Sequence, residues 1–216
     1  MTKITTELLL RAYVSGIFPM AETKKSDKIF WVDPEKRGII PLEKFHLSKR
    51  LSKTIKTTPF TITYDKVFLK VIRACSSESK GRNKTWINGQ IMALFENLHH
   101  HKLAHSIECW DGNELVGGLY GLALGGVFFG ESMFHHKTDA SKIALIYLVA
   151  RLNKGGFKLL DTQFITNHLK QFGAIEIPRK DYLEMLDLDL NEDANFYCLK
   201  SDVPPSSILQ LVTQTS

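Results

Sequence analysis

The segment that decides the fold class runs from His105 to Phe134 and reads HSIECWDGNELVGGLYGLALGGVFFGESMF. Runs of apolar and polar residues flank Asp111-Gly112, and an Asp-Gly pair in this position is a strong signal for a tight β-hairpin. The piece GGLYG lies inside the second run, where a β-bulge or a tight bend explains its glycines. The apolar run VFFGESMF then continues the pattern. We therefore predict a meander of antiparallel strands.

Helices are predicted on both sides of this meander. A capping threonine, Thr5 or Thr6, begins a helix that Gly16 ends, and Asp65 is predicted to cap the helix VFLKVIRAC. Further helices are predicted over residues 48–56, 90–102 and 139–154. FKLLDTQ and NFYCLK are predicted as later strands. This order of elements indicates an α/β or α+β protein whose mixed sheet is covered by helices.

The composition is that of a globular protein with a core, because 44% of the 216 residues are hydrophobic and 24% are charged. It excludes a disordered tail, a collagen-like repeat and a coiled coil. Residues 16–45 hold three of the seven prolines and few helix signals. We therefore predict a small N-terminal domain over residues 1–45, a main domain over 46–200, and a tail over 201–216 without an assigned role.

Membrane insertion and secretion are not expected from this sequence. No apolar run reaches the roughly 18 residues that a membrane-spanning helix needs. The N-terminus has no cleavage site of the signal-peptide kind. Three cysteines without a CxxC pair are typical of free thiols in a reducing compartment. We therefore expect a cytoplasmic protein.

Positive charge is concentrated in the segment KFHLSKRLSKTIK, residues 44–56, which contains no acid. Its cations Lys49, Arg50 and Lys53 are interspersed with apolar residues. One interpretation is the solvated face of a short helix. The other is a contact with a nucleic-acid backbone, which the net charge of +5 permits without requiring it.

Two groups of polar residues lie at predicted strand ends. Glu131 interrupts an apolar run, and a carboxylate near a core costs several kcal/mol unless it is paired or lies at a cleft. Asp161 and Gln163 are two residues apart, so on a strand they share a face. The structural alternatives are a strand end in solvent for Glu131 and a helix cap for Asp161. Two such groups favour one shared site.

Several common kinds of site are not indicated. The histidines occur as consecutive runs at 99–101 and 135–136, whose side chains diverge and cannot bind one metal ion together. The sequence lacks GxxxxGK[ST], GxGxxG and GxSxG. We therefore predict no metal and no cofactor. Trp31 and Trp86 lie in polar loops, where each either packs in the core or stacks on a nucleic-acid base, a contact of about 1–3 kcal/mol.

The sequence as a whole resembles the leucyl/phenylalanyl-tRNA–protein transferase family. The matching segments run in order from about residue 8 to 186, and GESMF and the DxQ strand are the most specific. They read GIFPM, FWVDPEKRGIIPL, TWI, the segment 105–134, ASK, GG-x-KLLDTQ and FGAIEIPR-x-DYL. The resemblance implies a small N-terminal domain and a catalytic domain similar to the acyl-CoA N-acyltransferase fold. HHKTDASK replaces that fold's glycine-rich pyrophosphate turn, so coenzyme A is not expected.

The resemblance also implies an activity. An enzyme of this family takes leucine or phenylalanine from its charged tRNA and joins it to the N-terminal α-amine of a protein beginning with arginine or lysine, which marks that protein for degradation by the N-end rule. The aminoacyl ester is already activated, so no ATP, metal or other cofactor is needed. We expect a cytoplasmic monomer that binds aminoacyl-tRNA and these protein substrates.

Roles for individual residues follow from the matching motifs. Asp161 and Gln163 would orient the amine and assist proton transfer, and Glu131 would hold the acceptor's cationic first residue. Trp31 and Trp86 would contact the terminal adenosine of the tRNA. The aminoacyl pocket would be lined by Leu119, Leu148, Leu152 and Leu160, and the tRNA backbone would be bound by Lys49, Arg50 and Lys53.

Three alternatives remain open at this point. Larger side chains are common in the family at several of the four leucine positions, which leaves the preference among leucine, phenylalanine and methionine undecided. The same chemistry could use a different charged tRNA or acidic N-terminal acceptors. More distant alternatives are a coenzyme A-dependent N-acyltransferase and a tRNA-binding module without turnover.

Overall fold

The computed structural model describes residues 4–77, 85–200 and 202–213, which form nine strands and eight α-helices. The strands are β1 Phe18–Ala21, β2 Ile29–Val32, β3 Lys36–Pro41, β4 Thr61–Tyr64, β5 Ala104–Asp111, β6 Glu114–Leu124, β7 Val127–His135, β8 Leu159–Gln163 and β9 Ile175–Pro178. The helices are α1 Thr6–Val14, α2 Lys49–Thr57, α3 Phe68–Cys75, α4 Gly89–His100, α5 Ala140–Gly155, α6 Asn167–Lys170, α7 Arg179–Asp189 and α8 Pro205–Thr213.

Seven strands form one sheet in the order β4-β5-β6-β7-β8-β3-β9, and β1 and β2 form a separate antiparallel pair. The predicted meander is β5, β6 and β7, with Asp111 paired to Glu114 across the hairpin. After β7 the chain crosses through α5 and returns as β8, which therefore runs parallel to β7. The predicted mixed α/β fold is confirmed.

Helices cover both faces of the large sheet and bury two apolar clusters. One cluster joins the sheet to α2, α5 and α8, and the other joins it to α1, α3, α4 and α7. Helix α5 is buried on nearly all sides, as expected for a helix packed between the sheet and α8. No helix of the described ranges is both long and apolar enough to cross a membrane.

The predicted helix boundaries hold where capping residues specify them. The Thr5 hydroxyl accepts a hydrogen bond from the Leu8 N–H at the start of α1, and Ser48 caps α2 in the same way. Gly156 adopts a left-handed conformation, with φ of 81°, and ends α5.

Two predictions about local structure were wrong. Asp65 does not cap α3, because its carboxylate accepts hydrogen bonds from the Ser106 N–H and lies 2.7 Å from Nδ1 of His105. NFYCLK is not a strand, because Phe196–Cys198 forms a 3₁₀ turn that the Asn195 side chain caps. The carbonyl of Phe196 accepts from the buried Arg151 guanidinium, which ties this turn to α5.

Parts of the predicted N-terminal domain and of the predicted tail belong to the main body of the structure. Strand β3 precedes residue 45, yet it lies in the large sheet between β8 and β9. The tail over residues 201–216 contains α8, whose Ile208, Leu209 and Val212 are buried against the core. The division of the chain at residues 45 and 200 stays a prediction.

Candidate active site

A cavity of about 450 Å³ opens between the large sheet, α5, α6 and the β1–β2 pair. Its wall is mostly apolar. Six of the residues singled out from the sequence line it: Trp86, Leu119, Glu131, Leu148, Leu160 and Gln163. The structure therefore brings the GESMF strand, the DxQ strand and α5 to one place.

A β-bulge explains how a carboxylate reaches this apolar wall. Tyr120 pairs with Ser132 and Gly121 pairs with Gly130, so Glu131 is an extra residue without a partner on β6. Opposite the bulge the backbones approach closely, since a Cβ on Gly121 would lie 2.3 Å from the Phe129 carbonyl oxygen. The bulge predicted for GGLYG is on the facing strand instead: its extra residue is Glu131 of β7, opposite Tyr120 and Gly121, and the Glu131 side chain lines the cavity.

Glu131 is held by α1 and has an altered acidity. It is 9% exposed, and the Tyr13 hydroxyl donates a 2.7 Å hydrogen bond to its Oε1. Burial raises the pKa of Glu131 to about 8, and the nearby Asp161 adds to the rise, while the Tyr13 bond and Arg37 oppose it. Glu131 therefore changes between its protonated and its ionised form near pH 8.

Gln163 lies beside Glu131 with a strained backbone. Its φ is 57°, an uncommon value for a residue other than glycine, and its N–H donates to Asp161 Oδ1 at 2.8 Å. The side-chain amide is oriented so that its nitrogen faces hydrogen-bond acceptors. In this orientation the nitrogen donates to the carbonyls of Gly130 at 2.9 Å and Thr162 at 3.1 Å. The Gln163 amide oxygen then faces Glu131.

Asp161 is completely buried behind this wall and is not among the described residues that line the cavity. Its two carboxylate oxygens accept hydrogen bonds from Arg37 Nε at 2.9 Å and Nη2 at 2.6 Å. The Tyr182 hydroxyl donates a further bond at 2.9 Å, and Arg37 also binds the Gly16 carbonyl. Asp161 thus holds the Arg37 guanidinium and the backbone of Gln163.

Two other predicted residues lie away from the cavity. Leu152 is one helical turn beyond Leu148 on α5 and is buried in the core. Trp31 pairs with Pro19 and therefore lies on the opposite face of the β1–β2 pair from Met20, which lines the cavity. Phe30 pairs with Met20 and shares its face. This register favours Phe30 over Trp31 as an aromatic residue on the cavity side.

The predicted basic surface is present on α2. Lys49, Arg50 and Lys53 are all exposed, and Arg50 also donates two hydrogen bonds to Asp139 at 2.5 and 3.0 Å. Asp139 precedes α5 and is also paired with Lys142 at 3.0 Å. The Arg50 hydrogen bond is the main reason that the pKa of Asp139 is lowered to about 2. Lys49 and Lys53 thus remain available to a partner, while Arg50 joins α2 to α5.

Sequence reasoning missed Tyr13 and Arg37. Each contacts the site across more than a hundred residues of chain, with separations of 118 from Tyr13 to Glu131 and 124 from Arg37 to Asp161. Tyr13 has the spacing of an ordinary core residue on α1. Arg37 is 1% exposed in β3, and a lone arginine in an apolar strand was the one available signal of a buried acidic partner.

Within residues 4–77, 85–200 and 202–213, no three histidine, cysteine, aspartate or glutamate side chains are close enough to hold a metal ion. The arrangement that is present combines an apolar cavity, a carboxyl group with a pKa near 8 and an adjacent amide. Such a site can position an amine against an activated carbonyl and accept its proton.

Family models and curated relatives match nearly the whole chain. The model described as leucyl/phenylalanyl-tRNA protein transferase matches residues 39–187, and that of its N-terminal domain matches residues 2–35. The leucyl/phenylalanyl-tRNA–protein transferase of Nitrobacter winogradskyi is 52% identical over 217 residues, covering 100% of this chain and 96% of the relative. The one of Paramagnetospirillum magneticum is 56% identical over 196 residues, covering 91% and 94%.

Among solved structures, L-PGS from Bacillus licheniformis matches with a TM-score of 0.43 and 13% sequence identity. The match covers 92% of this chain and 66% of that one.

Proposed function

Since the chain belongs to the leucyl/phenylalanyl-tRNA–protein transferase family, we propose that it transfers leucine or phenylalanine from aminoacyl-tRNA to the N-terminal α-amine of proteins that begin with arginine or lysine. As a member of this family it is an aminoacyltransferase. We further propose that it acts as a monomer in the cytoplasm, since one chain supplies the whole candidate site.

The observation that carries this proposal is Glu131 in the wall of an apolar cavity. An α-amine has a pKa of about 7.7–8.0, close to the value of about 8 to which burial raises the pKa of Glu131. Near pH 8 a large fraction of the acceptor amine is therefore neutral and a large fraction of Glu131 is ionised, and these are the two forms that general base catalysis needs.

The proposed reaction needs no further reactant. The neutral amine of the acceptor attacks the ester carbonyl of the aminoacyl-tRNA, and its proton passes to the Glu131 carboxylate. The bond between the carbonyl carbon and the ribose oxygen then breaks, and the ribose oxygen receives the proton. A peptide bond has formed and the tRNA leaves with a free hydroxyl.

The neighbouring residues have supporting roles in this proposal. The Gln163 amide oxygen, which faces Glu131, accepts a hydrogen bond from the amine and orients it. Asp161 fixes the strained Gln163 backbone rather than contacting a substrate. Trp86 contacts the terminal adenosine at the cavity wall. Trp31, on the other face of its strand pair, is not part of this contact.

The leucines of the cavity provide a test of side-chain selection. Leu148→Ala enlarges the aminoacyl pocket, so we expect kcat/KM with leucyl-tRNA to fall by about tenfold or more and the preference to shift towards phenylalanine, because a mismatch of one to a few methylenes changes discrimination by about 1–3 kcal/mol. The measurement is transfer from leucyl-tRNA and phenylalanyl-tRNA in parallel.

Leu152→Ala is the matched control, because it removes the same atoms from the same helix outside the cavity. It should lower the melting temperature without changing the ratio of leucine to phenylalanine transfer. Equal shifts of that ratio in both variants would contradict the assignment of Leu148 to the pocket.

The exposed lysines of α2 are proposed to bind the tRNA backbone. Reversing both charges, Lys49→Glu with Lys53→Glu, should raise KM for aminoacyl-tRNA at low salt and leave KM for the acceptor peptide unchanged. The slope of log affinity against log salt should become shallower by about 1.5, as expected for two lost phosphate contacts. Filter binding of tRNA at several salt concentrations measures this.

A charge reversal at Arg50 should behave differently, because Arg50 is paired with Asp139. Its main effect should be on the packing of α2 against the start of α5. An unchanged salt slope in the double lysine variant would exclude Lys49 and Lys53 as phosphate contacts.

The proposed function is tested by transfer of labelled leucine from leucyl-tRNA to peptides that begin with Arg, Lys, Asp or Glu. Label on the Arg and Lys peptides supports the proposal. Label on the Asp and Glu peptides alone would preserve the chemistry and overturn the assigned acceptor. No transfer to any peptide from leucyl-tRNA or phenylalanyl-tRNA would overturn the activity.

A further inference from the structure

Two polar atoms in the cavity wall lack a hydrogen-bond partner. They are Oγ1 of Thr162 and Nε2 of His168, and neither bonds to any group in the described part of the chain. Both residues line the cavity, and both atoms are shielded from solvent. Unsatisfied buried polar groups are costly and therefore rare. Two of them in the wall of one cavity indicate a polar group of the substrate.

The hydrogen-bonding state of His168 is defined by its neighbours. The Gln171 side-chain nitrogen donates to the His168 carbonyl at 2.7 Å, which fixes the orientation of that amide, and it lies 3.3 Å from Nδ1. Nδ1 is therefore the acceptor, and the hydrogen of the neutral ring lies on Nε2. Burial, followed by Lys142 and His135, lowers the pKa of His168. Nε2 is a neutral donor.

The surroundings of His168 indicate which part of the substrate it meets. Lys142 of α5 is close enough for its charge to lower the pKa of His168. The apolar residues Leu148 and Leu160 line the same cavity as His168. In an aminoacyl-tRNA the ribose lies between the phosphate and the aminoacyl ester. With the aminoacyl side chain among the leucines and the phosphate towards Lys142, the terminal ribose would meet His168.

We propose that His168 and Thr162 bind the free ribose hydroxyl next to the aminoacyl ester. The His168 Nε2–H donates to the hydroxyl oxygen, and the hydroxyl donates to Thr162 Oγ1. A donor and a hydroxyl suit a group that both accepts and donates, whereas phosphate and ester oxygens only accept. This inference rests on the proposed function and adds two binding residues to it.

Two stable analogues test the contact directly. They are 3′-leucylamido-3′-deoxyadenosine and its counterpart without the 2′-hydroxyl, and their binding to the full-length protein is measured by calorimetry. We expect the wild type to bind the hydroxyl-bearing analogue about tenfold more tightly than its counterpart. His168→Phe, which keeps the ring that packs on Phe172, and Thr162→Val should each remove most of this difference.

The controls separate a specific contact from a structural role. His168→Gln places an amide N–H near the former Nε2 position and should restore part of the preference for the hydroxyl. Equal weakening of both analogues by His168→Phe, or equal binding of both by the wild type, would overturn the ribose contact. A wild type that binds neither analogue and transfers no leucine would instead overturn the proposed function itself.

Discussion

Replacing Glu131 by glutamine is expected to lower kcat/KM for leucine transfer by about 10²- to 10⁴-fold, the usual contribution of a positioned general base. Glutamine keeps the size of the side chain and an oxygen that accepts from Tyr13, so the cavity should remain intact. The substitution removes only the ability to take a proton from the amine. Steady-state transfer to an Arg-initial peptide measures the loss.

The pH dependence of the same variant gives an independent measurement. In the wild type both Glu131, with a pKa of about 8, and the acceptor amine must lose a proton. Log kcat/KM should therefore rise with a slope of about 2 below about pH 7 and level off above about pH 9. In Glu131→Gln only the amine titrates, so the residual activity should rise with a slope of about 1.

As pH rises, the contribution of Glu131 to stability should fall while the activity rises. The folded-state pKa of Glu131 lies above the value of about 4.3 for an unfolded glutamate, so the folded protein holds the extra proton between these two pH values. The contribution of Glu131 to stability therefore decreases as pH rises through this window. Glu131→Gln removes this dependence and should be at least as stable as the wild type at pH 8.

Glu108 is the matched control for this substitution. It is fully buried, it accepts hydrogen bonds from Ser106 and Thr63, and burial raises its pKa, as it does for Glu131. It lies on β5 and is not among the described cavity residues. Glu108→Gln should leave both slopes unchanged. A slope of 2 that persists in Glu131→Gln would exclude Glu131 as the base.

Asp161→Ala is expected to destabilise the protein by about 3–5 kcal/mol, because it leaves the Arg37 guanidinium buried without its partner. For a chain of this size that corresponds to a melting temperature lower by about 6–20 °C. At temperatures at which the variant is still folded, its transfer activity should also be lower than that of the wild type, since the Gln163 backbone loses the carboxylate that holds it. Calorimetry and transfer assays at 20 °C separate the two effects.

The double variant Arg37→Met with Asp161→Leu distinguishes charge imbalance from lost packing. With both charges removed, its melting temperature should be higher than that of Asp161→Ala. The surface pair of Asp33 and Arg179 is the outside comparison, and Asp33→Ala should change the melting temperature little. If Asp161→Ala melted like the wild type, the buried ion pair would not stabilise the fold.

The sequence allowed prediction of features that depend on neighbouring residues. The Asp111-Gly112 hairpin, the capping threonine of α1, and the start of α2 at residue 48 each depend on a few residues of chain. The mixed α/β class followed from the order of these elements. The grouping of Glu131 with Gln163 at one cavity was also predicted, but the strand-end position expected for Glu131 was wrong, because Glu131 lies at a bulge in the middle of β7 and only Gln163 ends its strand.

Features that depend on long-range pairing could not be predicted in this way. The position of β3 between β8 and β9 brings Arg37 to Asp161, and no local pattern encodes that pairing. Asp161 and Gln163 satisfy the two-residue spacing of a strand face, yet the left-handed backbone of Gln163 separates their roles. The face of the β1–β2 pair on which Trp31 lies depends on the register of the two strands.

The buried pair of Arg37 and Asp161 has a consequence for synthesis on the ribosome. Arg37 emerges 124 residues before its partner, which at about 5–20 residues per second is a delay of roughly 6–25 s. Strand β3 cannot be buried stably during that time, because its guanidinium would lack a counter-ion. The nascent chain therefore remains without a completed candidate site until most of it has been translated.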